Sequence, residues 1–344
     1  MNQIIEREIK RYILPKLFRA INFNSKKITF LSGDDNLILS VRRKNKNLII
    51  RVTPESYKTY DETLSELDII EYLISKGVPI SKPLVLIEDK KTLRFNYKDR
   101  FYTISSFEKA KGKEINPGDR EPNVFDKSRH GKNVEKLFLK FGKYTAIMHN
   151  SLSEYKSSLV NFTRPDLNQH LRRVYEVIEE DKKVFRIYKS YLQRINLLPR
   201  TKSNYGLVHF DLHSSNFFIF KNDLIFFDFT DTQYSFYMWD VAKIFFSSVP
   251  FNLHSENDLL LFKRKYDSFI KGYRSYRKLT QKDEELLKMF LNITELRMYL
   301  GLKQRYRKKI DKTHLWSRGF LNGRKENLEK GYTVFEAMKK HLCS

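Results

Sequence analysis

The stretch that most constrains this chain runs from Val208 to Ala242 and reads VHFDLHSSNFFIFKNDLIFFDFTDTQYSFYMWDVA. It threads His209, Asp211, Asn216, Asp228 and Asp240 between apolar runs. LVHF, NFFIF and LIFFDF read as short strands, and Lys221-Asn222-Asp223 between the last two reads as the turn of a hairpin. Asp211 and Asn216 fall before the hairpin and Asp228 at its exit. A hairpin returns its exit near its entrance, so the three polar groups are expected to converge.

That set of side chains suits phosphoryl transfer. Carboxylate and amide oxygens are hard ligands for Mg²⁺, which bridges nucleotide phosphates. The remaining carboxylate accepts the proton of an attacking hydroxyl. The string H-x-D-L-x-x-x-N followed by D-F is a catalytic-loop and metal-binding pattern of kinases. Phe210 replaces the Arg of the protein-kinase form, and Thr230 replaces the Gly after D-F. The segment instead resembles the aminoglycoside phosphotransferase and choline kinase-like family, whose motif runs H-G-D-L-H-x-x-N and then I-D-F-x-D. Phe210 stands where that family has Gly.

The resemblance implies an α+β, two-lobed protein kinase-like fold. A small antiparallel-sheet lobe would cover residues 1–106, and a larger helical catalytic and acceptor-binding lobe residues 107–344. It implies ATP and Mg²⁺ as cofactors, with Asp211 as the catalytic carboxylate and Asn216 and Asp228 as metal ligands. Asp240 would brace the catalytic loop, and His209 would hold it. The acceptor is expected to be the hydroxyl of a small molecule: an amino alcohol, homoserine, a sugar or an antibiotic. A bacterial stress-type Ser/Thr protein kinase shares this scaffold and is the alternative. A non-catalytic nucleotide- or polyanion-binding protein is the second.

Ahead of this stretch, residues 2–20 carry Ile4, Ile5, Ile9, Ile13 and Leu17 at helical spacing. Strands around Ile28–Leu31, Leu37–Val41 and Leu48–Val52 then form an antiparallel meander with a polar tip, Ser32-Gly33-Asp34-Asp35-Asn36. In kinase-like folds such a tip covers the phosphates with backbone N–H groups, which makes Ser32, Gly33 and Asn36 nucleotide-binding candidates. Arg51, on the third strand, takes the place of the phosphate-pairing Lys of kinases. A permanently charged fork suits phosphate oxygens. Glu66, in the following helix beside Ile69, Ile70 and Leu73, is its expected ionic partner, with Glu62 and Glu71 as rivals. PLVLIE and FYTISSFEKAKG read as strands. By resemblance, Ser105–Lys109 is the hinge; Phe107 lines the adenine site or is simply core.

Residues 111–134 form one long polar loop, expected to be a flap or a substrate-side insertion. The rest reads as helices: VEKLFLKFGKYTAIMHN, segments within 165–198, YMWDVAKIFF, and three in the C-terminal third. Tyr234, Phe236, Tyr237 and Trp239 are either core or acceptor-facing, with core favoured.

Composition excludes several classes. Hydrophobic residues make up 41% of 344, enough for a sizeable core. The one cysteine, Cys343, permits no internal disulfide and fits a reducing cytoplasm. No stretch approaches the roughly 18 apolar residues of a membrane span. The net charge of +24 favours anionic partners, nucleotides first, with nucleic acid less favoured because the excess is scattered. Polycationic aminoglycosides call for surplus carboxylates, so a chain this basic makes them a less attractive acceptor.

Overall fold

The computed structural model describes residues 3–22, 28–32, 36–43, 46–113, 134–159, 162–171, 181–213, 215–248, 256–307, 315–333 and 336. The expected tip residue Gly33 and nearly all of the 111–134 loop lie outside them. The chain divides into two compact units. The first comprises Met1–Lys111, Tyr155–Arg164 and Ile225–Thr230; the second comprises Gly112–Glu154, Pro165–Leu224 and Asp231–Ser344.

The first unit opens with helix α1 (Gln3–Glu8), a π-helical turn (Ile9–Ile13) and helix α2 (Leu14–Ala20). The π turn has a cause in the sequence. Pro15 has no N–H, and its ring crowds the carbonyl four residues back. Leu14 accordingly donates its N–H to Ile9 O, five residues back. The π turn also serves the apolar stripe. Ile5, Ile9, Ile13 and Leu17 recur every fourth residue, which drifts by about 40° per step around an ideal α-helix. The wider π turn offsets that drift, and Ile9, Ile13 and Leu17 are all fully buried.

Strands β1 (Ile28–Ser32), β2 (Leu37–Arg43), β3 (Lys46–Pro54), β4 (Pro83–Leu84), β5 (Thr92–Tyr97) and β6 (Arg100–Glu108) form one antiparallel sheet. Its main path runs β1-β2-β3-β6-β4, with β5 also paired to β6. Leu39, Val52, Tyr102 and Ile104 face a core shared with the N-terminal helices. The meander is as expected. PLVLIE, however, yields only a two-residue strand, and β5 lies in a segment for which no strand was expected. Ser105–Glu108 continues β6, paired as far as Leu48 opposite Glu108, so this part of the expected hinge is regular strand. Helix α3 (Tyr60–Ser75) starts on a capping box, in which the Thr59 side chain accepts from Glu62 N and the Glu62 carboxylate accepts from Thr59 N.

The second unit is mainly helical: α4 (Val134–Glu154), α5 (Leu167–Leu171), α6 (Lys182–Asn196), α7 (Tyr237–Ser247), α8 (Glu256–Arg274), α9 (Gln281–Arg307), α10 (Leu315–Leu321) and α11 (Arg324–Glu329). Helices α4 and α8 pack so closely that a Cβ on Gly142 would lie 2.0 Å from Phe269 O, and one on Gly272 would lie 1.9 Å from Leu139 O. Strand β7 (Tyr205–Val208) pairs with β10 (Gln233–Phe236), a strand the sequence reading did not separate from its surroundings. Strands β8 (Phe217–Phe220) and β9 (Asp223–Phe226) form the expected hairpin. Its two turn residues, Lys221 and Asn222, have φ of 50° and 61°, the left-handed pair of a type I′ turn. Phe236 and Tyr237 are buried, in line with the core reading; Trp239 is buried too but also lines the cavity beside Asp211.

The π-turn packing makes a stability prediction. Leu17→Ala removes a fully buried side chain and should cost about 2–4 kcal/mol, whereas Ile4→Ala, at a 59% exposed position, should change stability by less than about 0.5 kcal/mol. Urea unfolding of both variants checks this, and equal effects would contradict the assigned face.

Candidate active site

Strand β7 delivers the chain to the loop His209–Asn216. The loop is held from behind by Asp240, in the first turn of α7. One carboxylate oxygen of Asp240 accepts the backbone N–H of His209 at 2.9 Å, and the other that of Phe210 at 2.7 Å. His149, on α4, lies 3.2 Å from the same carboxylate through Nε2, and its Nδ1 meets Tyr273 Oη at 2.9 Å. Burial pushes the His149 imidazole below its ordinary pKa, against the pull of Asp240 in the other direction.

Phe210 sits at φ 72°, a conformation that glycine adopts freely and phenylalanine does not. The loop is therefore left-handed here despite the departure from H-G-D. Strain of order 1–3 kcal/mol at such a residue is tolerated only where its surroundings enforce it. Here the ring stacks on Trp239 at 4.7 Å and 7°, and Trp239 Nε1 donates to Phe210 O at 2.9 Å.

Asp211 follows directly. Its Oδ1 pairs with Lys243 Nζ at 2.8 Å, and its Oδ2 lies 3.1 Å from His213 Nε2. Asn216 Nδ2 donates to Asp211 O at 2.8 Å, which turns the amide oxygen the other way. Burial alone would raise the Asp211 carboxyl, but Lys243 and His213 hold it well below the usual carboxylate range. The side chain is still a third exposed. It opens into a cavity of ≈ 370 Å³ whose walls include Phe210, Trp239, Lys243 and Asp231. Lys243 and His213 were not singled out from the sequence. Lys243 had a signal: it stands three residues after Asp240, about one turn along α7.

The remaining expected residues lie in the first unit. Arg51 and Glu66 are buried and form a two-pronged pair, Nη1 to Oε1 at 2.9 Å and Nη2 to Oε2 at 2.5 Å. Of the rivals, Glu62 closes the capping box and Glu71 pairs with Lys91. Arg51 Nη1 also donates to Thr230 Oγ1 at 2.8 Å. A hydroxyl has one proton to give. Thr230 gives its own to Asp228 Oδ1 at 2.7 Å, a shorter contact than the 3.3 Å to Glu66. The Thr that departs from D-F-G thus links Arg51 to Asp228.

Asp228 itself is exposed, at φ 63°. Arg164, another residue the sequence gave no reason to pick, donates to Ser65 Oγ, Thr230 O and Glu62 O and fixes the backbone of that segment. Phe107 lies under Arg51, ring centre 5.0 Å from the guanidinium carbon. Asn36 accepts from Thr53 Oγ1 at 2.8 Å, and Ser32 ends β1. Arg51, Glu66, Phe107 and Asp228 are thus brought together in the first unit, and Asp211 and Asn216 in the second.

Burial alone would raise the Glu66 carboxyl, but Arg51 keeps it below the ordinary value. Glu66→Ala would leave the Arg51 charge buried without its partner and should destabilise the chain by about 3–5 kcal/mol. The Arg51→Leu/Glu66→Leu pair should cost far less. Chemical denaturation of the three proteins tests this, and equal losses in both variants would show that the charge pairing is not what the site depends on.

Residues 28–279 match the phosphotransferase enzyme family. The chain is 24% identical over 298 residues to amicoumacin kinase of Bacillus subtilis (strain 168), covering 86% of this chain and 85% of that one. A solved structure of amicoumacin kinase hAmiN in complex with AMP-PNP, Ca²⁺ and Ami superposes with a TM-score of 0.80 at 21% identity, over 96% of each chain. A microcompartment-associated aminopropanol kinase gives 0.70 at 18%, over 93% of this chain and 98% of that one. The fold is therefore the two-lobed, kinase-like one expected from the sequence.

Proposed function

Because the chain belongs to the phosphotransferase enzyme family, we propose that it moves the γ-phosphoryl group of ATP to a hydroxyl of a small molecule. What carries this is Asp211: an ionised carboxylate, fixed by Lys243 and His213, facing a cavity of small-molecule size. A cavity of ≈ 370 Å³ favours a small acceptor over a polypeptide segment. The relatives point the same way, since kinases named for amicoumacin and aminopropanol share the fold.

In this reading the acceptor hydroxyl donates its hydrogen bond to Asp211. Its oxygen attacks the γ-phosphorus in line, the bond to the β–γ bridging oxygen breaks, and the proton passes to Asp211. A carboxylate held this far below the usual range is a weak base, so the proton moves late and Asp211 acts chiefly by aiming the hydroxyl. Arg51, kept in place by Glu66 and resting on Phe107, orients the phosphates. Ser32, Gly33 and Asn36 belong to the tip proposed to cover them.

Asn216 and Asp228 are the residues that would hold a divalent cation, Mg²⁺ in this proposal. The ion supplies neutralisation of the phosphate charge. The donor chemistry fits. The Asn216 amide nitrogen is committed to Asp211 O, leaving the amide oxygen for a hard ion, and Thr230 steadies one carboxylate oxygen of Asp228. No cluster of three His, Cys, Asp or Glu side chains suited to a metal occurs among the described residues. One amide and one carboxylate match an ion that takes its remaining ligands from phosphate and water.

Among the described residues no helix is long and apolar enough to cross a membrane. We place the protein in the cytoplasm, where ATP is available.

Asp211→Asn should lower turnover at least about 10³-fold and leave the unfolding transition and the binding of a non-hydrolysable ATP analogue in place. An ATPase-coupled assay beside calorimetry reads both, and full turnover in the variant would reject the role.

The pH profile gives a second test. With its carboxyl depressed, Asp211 stays ionised to well below pH 4, so the acid limb of kcat/KM in the wild type lies at or below the ordinary carboxylate range. Lys243→Met removes the strongest lowering influence and leaves burial, so the limb should move to higher pH. An unmoved limb would show that Lys243 does not set the charge of Asp211.

A further inference from the structure

Helix α6 is basic over its exposed face. Between Asp181 and Asp211 the chain has no carboxylate and seven Lys or Arg residues, five of them on α6. Asp181 itself is withdrawn from the surface, fully buried and accepting the Tyr299 hydroxyl at 2.5 Å. Arg200 and Lys202 are paired with Asp166 and Glu154. Lys182 has an interaction of its own. Lys183, Arg186, Lys189 and Arg194 are exposed, and none of the four forms an ion pair with a described residue. Lys189 lies over the Phe185 ring at 4.9 Å and Arg194 over Tyr191 at 5.4 Å, contacts that leave the charge in place.

At about 100° per residue, these four cations, with Ser190 and Gln193, fall within an arc of about 140° around the helix. Val184, Phe185, Tyr188 and Ile195 hold the opposite, buried side. The contact with α9, in which Asn292 donates to Tyr191 Oη at 3.1 Å, lies toward that side too. Helix α11, which also packs on α6, brings no surplus carboxylate: Glu326 and Glu329 stand beside Lys325 and Lys330. Leu197 continues the basic face. Its backbone is still helical, at φ −87° and ψ −8°, which puts it near the middle of the arc. It is 84% exposed, the most exposed large apolar side chain among the described residues.

We propose that α6 and Leu197 form a docking face for the surface of an anionic lipid bilayer. Lys183, Arg186, Lys189 and Arg194 meet phosphate-bearing headgroups, and Leu197 enters the interfacial layer beside them. Roughly four to eight cations on one helix suffice for reversible, salt-sensitive attachment to acidic lipid. Nucleic acid is the other polyanion, and the same residues disfavour it. Phe185 and Tyr188 are buried and Tyr191 lies beneath Arg194, so the face offers no free ring on which a base could stack. Leu197 has no counterpart on a phosphodiester backbone. The proposal does not depend on the phosphotransfer reading.

Co-sedimentation of the full chain with vesicles tests this. At about 0.05 M sodium chloride, vesicles with about a third phosphatidylglycerol should retain the chain at least roughly ten-fold better than pure phosphatidylcholine, and about 0.5 M should abolish the difference. Lys183→Gln/Arg186→Gln/Lys189→Gln/Arg194→Gln should lower the partition roughly ten-fold. Lys76→Gln/Lys82→Gln/Lys278→Gln/Lys282→Gln removes the same charge from other exposed sites and should lower it by less than about three-fold. Leu197→Ser should lower it about two- to five-fold.

No preference for the anionic vesicles overturns the proposal, as does an equal loss in the two quadruple variants, which would assign the binding to charge spread over the surface. A partition unmoved by Leu197→Ser rejects the seating on a bilayer. A chain that passes over the vesicles but binds a labelled duplex DNA through the same four residues overturns it in favour of nucleic acid. Should the α6 variant fail to fold, Arg186→Gln/Lys189→Gln decides, with an expected loss of about three-fold. Sedimentation needs no turnover. A chain that docks as expected but transfers no phosphoryl group would therefore fail the phosphotransfer reading and not this one.

Discussion

One carboxylate determines where the loop after β7 can go. Asp240 accepts two consecutive backbone N–H groups, those of His209 and Phe210. Two neighbouring N–H groups reach one carboxylate only if the backbone of His209 turns both peptide planes toward it, and the left-handed Phe210 that follows redirects the chain toward Asp211. Asp211, the next residue, leaves the turn in a fixed direction. The grip must itself be rigid, and it is: Asp240 lies at the start of a buried helix and is met from the far side by His149, which is in turn held by Tyr273. Buried backbone groups without partners would cost about 1–3 kcal/mol each, so the loop has no equally good alternative once Asp240 is in place.

The same logic of positioning explains the buried ion pair in the first unit. Burying Arg51 and Glu66 is not an efficient way to gain stability, because the desolvation of two charges offsets most of their attraction. What the pair provides is direction. A two-pronged contact fixes the guanidinium plane, Phe107 supports one face of it, and Thr230 passes the constraint to Asp228. Two guanidinium groups, Arg51 and Arg164, and two carboxylates, Glu66 and Asp228, gather around one threonine hydroxyl and its carbonyl. Each charge restrains the others, so an exposed Asp228 is held without being buried.

The legible part of this molecule was its local periodicity and its spacing along the chain. Alternating apolar residues mark β1 to β3, and Lys221-Asn222-Asp223 marks a hairpin, of which the first two residues form the left-handed turn and Asp223 already begins β9. Glu66 is the partner expected for Arg51, with Glu62 and Glu71 as rivals, and the structure pairs it so. The choice was partly readable, since Thr59-x-x-Glu62 is a capping-box pattern that commits Glu62 to the helix start. The unreadable part consists of contacts between residues far apart in sequence. Arg164 lies in an aperiodic segment, and nothing local says that it reaches α3 and Thr230. The π turn shows a milder case. A stripe with a spacing of four reads as a helix, and only Pro15 hints that the helix must widen to keep the stripe on one face.

Charge shows most clearly why a count over the whole chain and a count within a site answer different questions. A net charge of +24 scattered over a surface is screened within about 8–10 Å in physiological salt, so it raises the general attraction for anions without choosing one. Choice is made where side chains line the space that an acceptor enters. Around Asp211 that lining depends on the register of α9: a shift of one residue would rotate Arg297 and Arg305 by about 100° and remove both from the cavity. In the proposed function the Asp240 clamp and the Arg51–Glu66 pair serve any acceptor alike, whereas the side chains of α9 that line the cavity would meet one acceptor differently from another.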